Sequence, residues 1–259
     1  MNLQISILGC GWLGFPLAKH LVDIGYAING STTSIDKMRV LKENNIKPFL
    51  IEVNENEIIG DIELFLKESD ILIINIPPRR KLNIINYRSK LGNLLPFIQA
   101  SAIKNILFVS STSVFASQKE LITESTIAKP DTESGQDILA AEQMFQKLST
   151  HQTTVLRLAG LIGEGRHPIN FLAGKKHLPN PNHAVNLIHL DDCINIIAKI
   201  IQCNSWGEVF IGVNQQHIDR KTYYTEQAII KQLPIPYFDE ENDHFDKKID
   251  NPLTKARLL

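Results

Sequence analysis

Two groups of residues in this chain have types and spacing suited to chemistry. The first is Gly9-Cys10-Gly11-Trp12-Leu13-Gly14. Glycines at this spacing occur in many tight turns, but here the apolar run Leu3 to Leu8 precedes them and a helix-like stretch, Trp12 to Ile24, follows. In that order the pattern reads as a dinucleotide-binding turn. The first glycine permits the sharp turn, the second lets backbone approach a pyrophosphate, and the third lets the helix pack closely on the strand. The phosphates would then meet the unpaired N–H groups and positive end of a helix beginning near Trp12. Gly9, Gly11, Trp12, Leu13 and Gly14 are therefore expected to hold a cofactor. The second group is Ser110-Ser111-Thr112-Ser113, at the polar end of an apolar run. Its Ser111 and Ser113 hydroxyls are suited to hydrogen-bonding a substrate carbonyl or hydroxyl.

The form of the cofactor should be set at the tip of the second strand, which reads Asn29-Gly30-Ser31-Thr32-Thr33-Ser34. An acidic residue there would bind the adenine ribose 2′-OH and favour NAD. The nearest acid, Asp36, instead completes a capping box in Thr33-Ser34-Ile35-Asp36. The hydroxyls of Ser31, Thr32 and Thr33, with Lys37 or Arg39 one turn on, suit a 2′-phosphate, so NADP is preferred to NAD. Ile76 and Ser110, at the ends of two further strands, complete the expected cofactor contacts. Arg79, Arg80, Arg166 and His167, in loops at the crevice mouth, are candidates for an anionic substrate group. Arg157, inside an apolar strand, reads as an internally paired residue. Asp191 or Asp192 reads as the cap of the helix that begins there.

These residues must be positioned by elements, and the elements are legible. Short apolar runs alternate with segments of helical period, the signature of a parallel sheet covered on both faces. Strands are expected at about 3–8, 26–30, 47–53, 70–76, 105–111 and 153–158, with helices near 12–24, 34–45, 61–69, 84–101 and 134–149. The runs Asp70 to Ile76 and Asn105 to Ser110 are continuous enough to be buried on both sides. Ligands bind outside the carboxyl ends of such strands, so Gly9 to Gly14, Gly30 to Thr33, Asn75 to Arg80 and Ser110 to Ser113 should converge on one crevice. After residue 159 a looser stretch, Gly160 to Pro181, is followed by a short strand, a helix near 191–203 and a strand near Glu208 to Val213. The expected fold is α/β, a Rossmann-type doubly wound parallel sheet. It forms a single domain over 1–259, to which about 160–259 contributes a small substrate lobe. The acidic stretch from Asp239 to Asp243 reads as solvated surface.

Composition narrows the function classes. With 259 residues, 43% of them hydrophobic, the chain can bury a large core. Its 27 basic and 28 acidic residues give a net charge of -1, so no global field favours nucleic acid or an anionic membrane. Any anionic ligand must be captured locally. Without a basic leader or an uninterrupted apolar run at the N-terminus, the expectation is a soluble cytoplasmic protein. Cys10, Cys193 and Cys203 form no C-x-x-C pair, and His177, His183 and His189 with Asp191 match no helical H-x-x-x-H face, so no metal site is expected.

The segment Ser110-Ser111-Thr112-Ser113-Val114-Phe115-Ala116 is similar to the S-S-x-x-V-Y-G element of extended short-chain dehydrogenases/reductases. Glu124 and Pro130 resemble that family's following Glu and Pro. Leu156-Arg157-Leu158-Ala159-Gly160-Leu161-Ile162-Gly163 resembles its R-x-x-x-x-Y-G strand and turn, and Ile188-His189-Leu190-Asp191-Asp192 its I-H-V-D-D element. These matches span most of the chain in order, and the chain is identified as a member of the NAD-dependent epimerase/dehydratase group, most similar to its YeeZ-like subgroup. The resemblance implies an NAD(P)-dependent oxidoreductase or epimerase-like enzyme acting on a small hydroxyl or carbonyl compound or a nucleotide sugar, and a helix-paired homodimer. It also implies a catalytic Ser/Thr, a Tyr acting as general acid/base and a Lys four residues later. Ser111 takes the Ser/Thr position, and Ser113 is its candidate partner. The tyrosine position falls on or beside Ser134 and the lysine position on or beside Ile138, so the Tyr-x-x-x-Lys pair is absent. A positioned general acid/base contributes about 10²–10⁴-fold to rate. A non-catalytic NAD(P)-binding sensor or regulatory protein is therefore the alternative.

Overall fold

The computed structural model describes residues 3–78, 87–118, 120–214, 217–240 and 246–259. The chain opens with β1 (Gln4–Leu8), α1 (Gly14–Asp23), β2 (Ala27–Thr32), α2 (Ile35–Glu43) and β3 (Lys47–Leu50). A short hairpin, β4 (Glu52–Val53) and β5 (Ile58–Ile59), leads to α3 (Ile62–Leu66) and β6 (Ile71–Ile74). Next come α4 (Tyr87–Gly92), α5 (Leu95–Ala100), β7 (Asn105–Ser111), a 3-10 turn (Thr112–Val114), α6 (Glu133–Gln146) and β8 (Gln152–Leu158). The remainder comprises β9 (Gly160–Ile162), α7 (Ile169–Leu172), β10 (Leu187–His189), α8 (Leu190–Gln202), β11 (Val209–Gly212), α9 (Arg220–Ile230) and α10 (Pro252–Leu258).

Seven strands form one sheet in the order β11-β8-β7-β6-β1-β2-β3, every neighbouring pair parallel. This is the expected doubly wound α/β architecture. Burial explains it. Ile71 to Ile74 and Ile106 to Phe108 are all 0–1% exposed, as strands covered on both faces must be. Helix α1 buries Leu17, Ala18 and Leu21, one stripe at helical spacing. Pro16 sits in its first turn, where its fixed φ suits a helix start. Between β1 and β6 the chain order reverses direction across the sheet, which places the crevice at the carboxyl ends of these two strands.

Several local expectations are corrected. The strand at 47–53 ends at Leu50, and Glu52–Val53 turns away to pair with Ile58–Ile59. The helix at 84–101 is two pieces; Asn93 and Leu94 interrupt it, and Pro96 opens the second piece. Residues 79–86, including Arg79 and Arg80, and Glu241 to Asp243 of the acidic stretch lie outside the described residues. The C-terminal region contains two helices that periodicity did not indicate. Asp219 caps α9 by accepting the Thr222 N–H, and Pro252 begins α10.

Within 160–259, β11 joins the central sheet, and α8 buries seven residues, among them Ile197 and Ile200, against the main core. A second, smaller apolar cluster gathers Ile169, Tyr224 and Ala228 from α7 and α9, with Leu172, Val185, Leu233 and Phe238 packed on it. No described helix is long and apolar enough to cross a membrane.

Candidate functional site

The site begins with the glycine turn at the end of β1. Gly9 has φ +106°, a left-handed conformation that disfavours side chains, and a Cβ there would lie 2.6 Å from the Asn75 carbonyl oxygen. At Gly14 a Cβ would sit 2.2 Å from the Gly9 carbonyl oxygen, so only glycine lets the helix start this close to the strand. Gly11 differs from both, since a Cβ there would meet nothing within 4 Å. Its face is open space. The turn is pinned from β2, where the Ser31 hydroxyl accepts the Gly9 N–H at 2.9 Å and the Ser31 carbonyl accepts the Cys10 N–H at 2.8 Å. The Asn75 side-chain amide donates to the Gly9 carbonyl at 3.0 Å. Helix α1 starts at Gly14, later than expected, with Leu13 as its N-cap and no side chain bonded to its first N–H groups. The Phe15 and Leu17 N–H groups are taken by the Gly11 and Leu13 carbonyls, at 3.1 Å each, so the Gly14 N–H and the positive helix end are what is left for a ligand.

A cleft of about 220 Å³ lies against this turn. Gly9, Cys10 and Gly11 form one wall, Ser31, Thr32, Thr33 and Lys37 a second, and Asn75, Ile76 and Pro77 a third. Three of the four expected segments thus converge. Ile51, Glu52, Val53 and Lys90 also line the cleft, and sequence reasoning missed them. The signal for Glu52 and Val53 was their place at the end of the third strand; Lys90 carried none. Burial pushes the Cys10 thiol up to about 12, so it packs as a small apolar group.

The structure separates the expected cofactor contacts. Lys37 lines the cleft, whereas Arg39 lies on the exposed face of α2, with 84% of its side chain accessible, and pairs with Glu43 at 2.9 Å. The capping box does not form. Ser34, not Thr33, is the N-cap of α2, no side chain caps it, and Asp36 stands in the first turn. Trp12 is not among the residues lining the cleft. Its indole N–H donates to the Glu164 carbonyl at 3.2 Å, and the Arg166 guanidinium lies over its ring.

The other half of the crevice, beyond β7, is organised differently. The Ser110 hydroxyl, expected to face a cofactor, donates at 2.5 Å to Glu142, which is 0% exposed on α6. The same carboxylate receives Arg157 through Nε and Nη2, the latter at 2.7 Å, so Arg157 is the internally paired residue its setting predicts. Ser111 accepts the Ser113 N–H at 3.1 Å and so caps the 3-10 turn. The Ser113 hydroxyl is buried without a hydrogen-bond partner among the described residues. A Cβ on Gly135 would lie 2.4 Å from the Ser113 carbonyl oxygen, so the first turn of α6 rests on this serine. Ser134 beside it is exposed and Ile138 is buried. No residue of Ser110 to Ser113 lines the 220 Å³ cleft.

Residues from later in the chain close this half. Glu124 accepts the N–H groups of Leu253 and Thr254 and the Thr254 hydroxyl, tying the loop after β7 to the start of α10. The Lys247 ammonium donates to the Phe115 carbonyl, and burial lowers its pKa against the opposing pull of Asp131. His167 is 6% exposed; its Nδ1 accepts the Ile169 N–H at 3.1 Å, and its Nε2 meets the Tyr223 hydroxyl at 3.0 Å. Burial holds its pKa down at about 4, with Lys231 adding to the effect. His189, rather than Asp191 or Asp192, is the N-cap of α8, accepting the Asp191 N–H at 3.3 Å. Among the described residues no group of three His, Cys, Asp or Glu is placed to hold a metal.

The fold is that of the NAD-dependent epimerase/dehydratase and short-chain dehydrogenase/reductase proteins. A UDP-glucuronic acid 4-epimerase from Bacillus cereus in complex with NAD superposes with a TM-score of 0.79 at 16% identity, covering 99% of this chain and 92% of that one. A short-chain dehydrogenase/reductase superfamily protein from Agrobacterium tumefaciens with bound NAD gives 0.78 at 13% identity, covering 98% and 91%. No family model matches the chain. Protein YeeZ of Escherichia coli K12 is 33% identical over 249 residues, 95% of this chain and 90% of that one. The chain belongs to the YeeZ family.

Proposed function

We propose that the protein is an NAD(P)-dependent oxidoreductase or epimerase-like enzyme acting on a small hydroxyl or carbonyl compound, such as a nucleotide sugar, with NADP preferred to NAD. The observation that carries this reading is the open face of Gly11 above the uncapped start of α1, at one wall of a cleft whose other walls bring Lys37, Thr32 and Thr33. That geometry fits a dinucleotide. Gly11 and the positive N-terminal end of α1, with the Gly14 N–H, would hold the diphosphate, Lys37 with the Thr32 and Thr33 hydroxyls the 2′-phosphate, and Ile76 and Pro77 the path towards β7. Glu52 lines the same cleft and opposes a 2′-phosphate, so the preference rests on Lys37 outweighing it. When bound, the nicotinamide accepts or donates hydride. The chain's own part is to orient the substrate, with the unpartnered Ser113 hydroxyl and Ser111 as its hydrogen-bonding groups. The superposed proteins whose structures hold NAD support the cofactor class, and the family resemblance supports a homodimer.

A second reading, a non-catalytic NAD(P)-binding sensor, is favoured by Ser134 and Ile138 at the positions of the tyrosine and lysine. One experiment addresses both. Titration with NADPH and NADH by cofactor fluorescence, followed by a carbonyl and nucleotide-sugar turnover screen, should give tighter NADPH binding and measurable turnover. Binding without turnover would select the sensor, and binding of neither cofactor would overturn both readings.

A further inference from the structure

The turn at 163–166 is built as a unit and pressed against the glycine turn. Gly163 and Arg166 exchange both backbone hydrogen bonds, at 2.9 and 3.0 Å, and Gly165 between them takes φ +66°. The turn's Glu164 carbonyl accepts the Trp12 indole N–H, and a Cβ on Gly163 would lie 3.1 Å from the Trp12 ring. Arg166 then lays its guanidinium 4.9 Å from the centre of that ring. Trp12 is the residue after Gly11, so this cation is held one residue from the open face of the turn. Arg166 is exposed and makes no ion pair among the described residues. An exposed arginine loses side-chain entropy when fixed. The stack on Trp12 holds the guanidinium there while leaving its five N–H donors available.

The chain's net charge of -1 gives no long-range attraction for a phosphate ligand. Its cations must therefore act locally, and the cleft's own lysines, Lys37 and Lys90, stand on the walls built from α2 and α4. The side of the glycine turn that faces β9 has Arg166.

We infer that Arg166, stacked on Trp12, is an oxyanion anchor that adds to the diphosphate site from the turn at 163–166, and that its ligand is the diphosphate of the bound dinucleotide. The inference rests on the dinucleotide reading of the cleft. It adds a residue from the region after β8 to a site otherwise made by β1, β2 and β6. The same guanidinium chemistry would take a phosphate carried by the substrate, and the test separates the two sources.

The probes are NADPH, ADP-ribose, which keeps the diphosphate and lacks nicotinamide, and 2′-AMP, which has no diphosphate. Loss of one charge-assisted contact is worth about 1.5 kcal/mol, or roughly tenfold in Kd. Arg166→Ala should therefore weaken NADPH and ADP-ribose about tenfold and leave 2′-AMP unchanged, with the thermal midpoint of the free protein retained. Arg166→Lys, which keeps the charge but loses the planar stack and fork, should fall between. Unchanged ADP-ribose and NADPH affinity in Arg166→Ala overturns the inference while leaving the cleft reading intact, and would direct Arg166 to the substrate. Equal weakening of 2′-AMP overturns it as well, since the effect would then not be local to the diphosphate. If the wild-type protein binds none of the three, the cleft reading itself falls and takes the inference with it.

Discussion

The two halves of the crevice are made by opposite means. Around β1, β2 and β6 the chain removes side chains. Gly9, Gly11 and Gly14 clear space, the start of α1 carries no side-chain cap, and Ser31 and Asn75 hold the turn's shape. Around β7, β8 and α6 the chain fills space with polar groups bonded to each other, as Ser110, Glu142 and Arg157 show. The first half is built to receive a ligand that brings its own charge. In the second, the buried side-chain polar atoms of the described residues are already bonded, with Ser113 the exception. A dinucleotide can therefore be accommodated without any acid/base pair on α6, which is why binding and turnover must be measured separately.

The largest test of this contrast is to break the second half. Glu142→Leu leaves Arg157 buried at 7% exposure without its carboxylate and Ser110 without its acceptor. Removing one member of a buried pair costs about 3–5 kcal/mol, so urea unfolding should show a loss of that size. The folded fraction should still bind cofactor with wild-type Kd, and a weaker Kd would show that the halves are coupled.

The next effect belongs to the smaller apolar cluster, beside which His167 meets Tyr223. The folded state holds His167 neutral, its pKa lowered from 6.5 to about 4, so between those values the unfolded chain binds the extra proton. Stability is then full above pH 6.5 and falls as pH drops towards 4, by at most roughly 3 kcal/mol. His167→Gln should flatten that limb of the stability profile. An unchanged slope would place the acid sensitivity elsewhere.

In the first half, Gly11→Val should abolish dinucleotide binding without unfolding the chain, because the added atoms enter open space that the ligand needs. A loss of at least about 100-fold, near 2.7 kcal/mol, with an unchanged thermal midpoint is expected from fluorescence titration. A lower midpoint would mean the position is structural after all. The smallest effect sharpens the cofactor preference. Lys37→Ala should weaken NADPH about tenfold and NADH little, consistent with one lost charge contact, whereas Arg39→Ala should change neither.

The sheet was readable because its strands are continuous apolar runs, and the glycine turn because only glycine permits its close approaches at Gly9 and Gly14. What sequence missed lies where side chains choose among distant partners. Nothing local distinguishes Lys37 from Arg39; the geometry of α2 turns one into the cleft and lets the other pair with Glu43 at i,i+4. Ser110 and Ser111 are neighbours with the same hydroxyl, and strand alternation sends Ser110 towards α6 while Ser111 caps the following turn. Trp12 matched the motif but spends its side chain on a carbonyl 152 positions away. Helix α9 was legible in principle from Asp219 and Thr222, but its charged residues blur the apolar stripe.

The contact between Glu124 and residues 253 and 254 spans 130 positions of chain. Most of the central sheet can pair while that distance is still unbridged, since six of its seven strands lie before residue 159. The loop after β7 cannot reach its final form until α10 exists. During synthesis, then, the glycine turn can be shaped early and the neighbouring half around β7 late, so a nascent chain stalled in its last stretch should already bind dinucleotide while the other half of its crevice is unfinished.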